Sequence, residues 1–84
     1  MDKVKTRVIG GIRWEADPDG DWLTREPDRR LECRLAGWVC ERLVPLGDTR
    51  GYLRAWGKTP QRAVKDLLRT EQQLIEELMR ENES

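Results

Sequence analysis

The chain has 84 residues, with 16 basic and 16 acidic side chains and no histidine, so its formal net charge is zero. That length allows one domain, residues 1–84, with a thin core under a densely charged surface. Balanced charge removes any global pull towards nucleic acid or a membrane. No apolar run approaches the ~18 residues of a membrane span, and no apolar segment follows the N-terminal Met-Asp-Lys-Val-Lys, so a cytoplasmic location is expected.

Lys3 to Trp14 opens the chain. Val4, Thr6, Val8, Ile12 and Trp14 alternate with Lys3, Lys5, Arg7 and Arg13, which predicts one strand with an apolar and a basic face, Ile9 being the exception. Gly10-Gly11 inside it predicts a bulge or a close backbone approach. Asp17-Pro18-Asp19-Gly20 is a turn signal. The carboxylates Glu15, Asp17, Asp19 and Asp21 alternate there, but the glycine comes too early for a calcium loop and the twelfth position holds Asp28, so a turn is expected and no metal site. Trp22-Leu23-Thr24 reads as a short strand and Arg25–Arg30, containing Pro27, as a loop.

Leu31 to Val44 fits two patterns. Leu31, Cys33, Leu35, Gly37, Val39 and Leu43 occupy alternate positions, as on a strand, while Leu31, Leu35, Val39 and Leu43 are also spaced by four, as on a helix. Gly37 and the apolar run Trp38-Val39-Cys40 favour the strand; the alternative makes residues 28–44 helical. Within one strand Cys33 and Cys40 fall on opposite faces, and on a helix they stand about 10 Å apart along the axis. Neither arrangement permits a disulfide, so two free thiols and a reducing compartment are expected. With no histidine a zinc site is not expected, and no pattern implies a cofactor. Pro45-Leu46-Gly47-Asp48 reads as a turn and Tyr52–Trp56 as a strand with Tyr52, Arg54 and Trp56 on one face.

The last third begins a helix. Thr59 is placed to cap it and Pro60 to occupy its first position; from Gln61 to Asn82 neither Gly nor Pro interrupts it. Ala63, Val64, Leu67, Leu68, Leu74, Ile75, Leu78 and Met79 form one apolar stripe, broken only by Glu71. Arg62, Lys65 and Arg69 lie opposite the stripe in the first half, whereas Glu76, Glu77, Glu81 and Glu83 crowd the second. The expected fold is α+β: a three-stranded antiparallel sheet (residues 3–56) covered by one long helix (residues 60–82), in the order βββα.

The passage Gly51 to Leu68 resembles the end of a HicB-like antitoxin domain, a strand followed by Gly-x-Thr-Pro and a helix with Ala and paired aliphatics. Gly57, Thr59, Pro60, Ala63, Val64, Leu67 and Leu68 match that pattern, and Asp17 to Trp22 resembles the family's first hairpin turn. The resemblance covers about a third of the chain, which carries an excess of residues between Asp28 and Arg50. It implies a protein that binds and neutralises a small toxin ribonuclease, with DNA binding in many members. The strand order is also similar to that of double-stranded-RNA-binding domains and of the arm-type DNA-binding domains of phage integrases.

Catalysis is not expected. A general acid–base enzyme needs a histidine or a carboxylate pair in a cleft, and the carboxylates here read as turn and surface residues. Gly57-Lys58-Thr59 looks like the end of a P-loop, but Tyr52 stands where that motif needs its first glycine. Two kinds of partner remain, neither a membrane nor a small-molecule substrate. A helix of ~22 residues spans about 33 Å and outruns three strands spaced ~4.8 Å apart. Leu74, Ile75, Leu78 and Met79 should therefore overhang and, with Trp38 and Trp56, meet a protein or a second copy of the chain as a homodimer. The alternative is nucleic acid, held by Arg50, Arg54, Lys58, Arg62, Lys65 and Arg69 with Trp56 stacked on a base. Small size, high charge and no catalytic set also fit a phage-encoded inhibitor.

Overall fold

The computed structural model describes residues 5–25, 27–46 and 49–83. It contains six strands, β1 (Thr6–Ile9), β2 (Ile12–Ala16), β3 (Trp22–Arg25), β4 (Asp28–Arg34), β5 (Gly37–Leu46) and β6 (Thr49–Gly57), and one helix, α1 (Pro60–Glu83). The strands form a single antiparallel meander in chain order. The α+β class and the long terminal helix agree with the sequence; the three-stranded sheet does not, and the helical alternative for residues 28–44 is overturned by β4 and β5.

Three turns account for the difference. Gly10 and Gly11 both have positive φ, 62° and 80°, and Ile9 pairs directly with Ile12. The dipeptide is therefore a two-residue hairpin loop, the geometry that glycine pairs favour, and not a bulge in one strand. Because the chain reverses there, the inward parity changes: Ile9 is buried and Val8 exposed. Next, Thr24 Oγ1 donates to the Pro27 carbonyl at 2.6 Å, and β4 starts at Asp28, inside the stretch expected as a loop. Finally, Leu35-Ala36 turns β4 into β5, with Cys33 opposite Trp38 and Leu31 opposite Cys40. Cys33 and Cys40 thus lie diagonally on the same sheet face, not on opposite faces; both thiols are free, Cys33 exposed and Cys40 buried.

Other expectations hold. Gly20 N–H donates to the Asp17 carbonyl at 2.9 Å, closing the predicted turn. Trp22–Arg25 is a strand, and Tyr52, Arg54 and Trp56 share the exposed face of β6 while Ala55 is buried. The turn expected at residues 45–48 does not begin at Pro45, since β5 runs to Leu46; its remainder, Gly47-Asp48, lies outside the described residues. So do Lys3 and Val4 of the first expected strand.

The helix backbone runs closest to β6 and β5 and also approaches β4 and β1. The sheet is therefore curled, so that its first and last strands both reach the helix. Trp14 fills the space beneath, fully buried, its indole N–H donating to the Ile9 carbonyl at 3.1 Å. With Ile9, Leu31, Cys40, Ala55, Ala63, Val64 and Leu67 it makes the core. Two glycines permit this fit. A Cβ on Gly10 would stand 2.6 Å from Val64 Cγ1, and one on Gly57 would stand 2.4 Å from the Ala63 nitrogen. Thr59 caps the helix, its Oγ1 accepting from the Arg62 amide at 3.2 Å. Among the described residues no helix is long and apolar enough to cross a membrane.

Candidate binding surfaces

Arg29 on β4 and Arg42 on β5 are direct cross-strand partners, and alternation aims both at the helix. Like charges placed opposite each other repel, so this pair needs an anion. Glu71, one helical turn past Leu67, supplies it. Arg29 donates Nε and Nη2 to its two oxygens at 2.9 and 2.8 Å, and Arg42 Nη1 lies 2.8 Å from Oε1. Glu71 is 5% exposed and Arg29 9%. Burial alone would raise the Glu71 pKa, but the hydrogen bonds and charges of the two guanidiniums overcome it and hold the carboxyl below its ordinary value. Arg42 Nε is buried with no hydrogen-bond partner among the described residues. Glu71, met in the sequence only as a flaw in the stripe, thus closes the core. The signal was available: a carboxylate inside an apolar stripe requires buried cations.

Beyond Glu71 the helix loses its cover. Leu74 is half-buried, but Ile75, Leu78 and Met79 are 51%, 47% and 59% exposed. They are the overhanging residues the stripe predicted. Glu76, Glu77 and Glu81 are exposed around them, with Arg80 the single base of that turn. Trp38 does not join this surface; it is half-buried and packs against the core at the opposite end of β5. Trp56, 53% exposed, is also distant, sitting at the start of the helix rather than its end.

Trp56 belongs to a second surface. With Lys58, Arg62, Lys65, Asp66 and Arg69 it lines an open groove of about 470 Å³ between the end of β6 and the first half of α1. Four of the six cations expected for nucleic acid meet here. Arg54 lies next to Trp56 on the outer face of β6 but does not line this groove; it is paired with Glu41 at 2.8 Å. Arg50 is described only by its backbone, opposite Pro45 in the sheet. Among the described residues no group of three or more His, Cys, Asp or Glu side chains is placed to hold a metal ion. No protein-family model, curated protein or solved structure matches this chain.

Proposed function

We propose that the chain is a small non-catalytic binding module that recognises a protein partner and inhibits or regulates it, as a HicB-like antitoxin or a phage-encoded inhibitor does. The observation that carries this reading is the exposed Ile75, Leu78 and Met79 stripe on a helix whose other apolar residues are covered. Exposed apolar residues contiguous on one helix face and rimmed by charge suit a helix-in-groove contact. Acidic neighbours define the occupant. Glu76, Glu77 and Glu81 complement a groove with a basic rim, whereas a second copy would bring acids against acids. A basic partner is therefore favoured over a homodimer.

The titratable groups support a non-catalytic role. The buried carboxylate of Glu71 is held ionised by two arginines and is engaged in the fold. Burial pushes the Cys40 thiol up to about 12, far from a thiolate at neutral pH.

The test is affinity capture from nuclease-treated source-cell extract, followed by calorimetry with the captured protein after purification. Wild type should bind it directly, Leu78→Asp should lose binding at unchanged circular dichroism, and Glu76→Lys with Glu77→Lys should weaken it at least tenfold. Direct binding unaffected by Leu78→Asp would refute the docking surface. A dimer in light scattering that Leu78→Asp dissociates would replace the basic partner with a second copy.

A further inference from the structure

We propose that the groove headed by Trp56 binds single-stranded nucleic acid, through a site separate from the protein-docking end of the helix. The inference does not depend on the reading above. Its first support is how the arginines are used. Arg25, Arg29, Arg30, Arg34, Arg42 and Arg54 each lie within ion-pair distance of a carboxylate. No carboxylate among the described residues lies within that distance of Lys58, Arg62, Lys65 or Arg69, although all four line one groove. Asp66 is the one acid there. Unpaired cations gathered on one surface create a positive potential that neighbouring carboxylates do not cancel.

The second support is spacing. Arg62, Lys65 and Arg69 recur at intervals of three and four and so share one helix ridge, which Lys58 extends towards β6. At 1.5 Å per residue Arg62 to Arg69 cover about 10 Å of the helix axis, and Lys58 lies just before its start. The third is Trp56, whose indole is half-exposed at the head of the ridge. A flat aromatic beside a line of cations suits unstacked bases, which offer a face to stack on, whereas a duplex hides those faces. Glu76 and Glu77, further along the helix, repel phosphate and limit the footprint to the first half.

The ligand class can be tested with a fluorescein-labelled dT12 oligonucleotide and the full chain, followed by anisotropy. Binding is expected at low salt, with log K falling against log salt at a slope of about −3, the value for four phosphate contacts on a single strand. Arg62→Glu with Arg69→Glu should reduce affinity more than tenfold, and Trp56→Ala by about tenfold. Leu78→Asp should bind dT12 as wild type does, which separates this site from the protein-docking surface. No binding of dT12 at low salt would overturn the proposal. So would equal affinity for heparin or a 12-base-pair duplex together with indifference to Trp56→Ala, which would mark a general anion surface. Loss of dT12 binding in Leu78→Asp would overturn the placement of the site.

Discussion

At the scale of the residue, Glu71 carries the largest consequence. Its carboxylate reconciles two arginines that the sheet register forces together, so removing it leaves the buried Arg29 facing the half-buried Arg42 with no anion between them. Glu71→Gln should destabilise the fold by roughly 3 kcal/mol, the cost of breaking a buried ion pair, read as a lowered urea midpoint. Replacing all three, Arg29→Met, Glu71→Leu and Arg42→Met, should recover most of that loss, because apolar side chains need no partner. The pH dependence has a definite sign. The folded pKa of Glu71 lies below its ordinary value, so its stabilisation is complete above the unfolded pKa of about 4.3. It is lost as pH falls through the folded pKa. Wild type should lose stability on that acidic limb, and Glu71→Gln should lose less of it. An acid limb unchanged by the substitution would show that other carboxylates dominate there.

Turns decide what happens at the scale of the element. Gly10 and Gly11 have similar left-handed φ values, yet only Gly10 faces Val64; nothing lies within 4 Å of a Cβ on Gly11. Gly10→Ala should therefore be more destabilising than Gly11→Ala by about 1–3 kcal/mol, the cost of overpacking, measured by thermal unfolding of the two variants. Equal losses would mean that the backbone alone sets the requirement. The same hairpin shows why the sheet was half legible. A glycine pair inside an alternating run serves a bulge or a two-residue loop equally well, and the residues on either side fit both. Leu35-Ala36 carries no turn chemistry, and Leu35 continues the alternation of Leu31 and Cys33 although it stands fully exposed at the turn. Two strands therefore merged into one. The helix was legible because Thr59-Pro60 fixes its start and its stripe keeps one period throughout. The stripe also exposed its own uncovered end. Glu71 alone signalled a buried cation, but its partners were not legible, because Arg29 lies 42 residues away in a stretch whose polarity and proline suggest a loop.

At the scale of the whole molecule, the curled sheet covers only the first half of the helix, and Glu71 marks where cover ends. The molecule measures 51 × 30 × 23 Å along its principal axes, an elongated shape for so short a chain. Two unlike surfaces result, a basic groove with an exposed indole and an acid-rimmed apolar stripe. Zero net charge, which argues against a nucleic-acid partner when read as a sum, conceals this division along one helix. Both surfaces were visible as residue lists in the sequence; their separation was not, because Trp38 and Trp56 belong to whichever sheet face the unseen turns dictate.

One unbroken helix, 24 residues long, joins those surfaces and sets the distance between them. Arg62 and Ile75 are fixed about 20 Å apart along its axis, so two ligands seated at once would be held at a set distance and angle. A residue inserted between Gln73 and Leu74 would swing the far surface by about 100°, whereas seven would restore its bearing and lengthen the reach by about 10 Å.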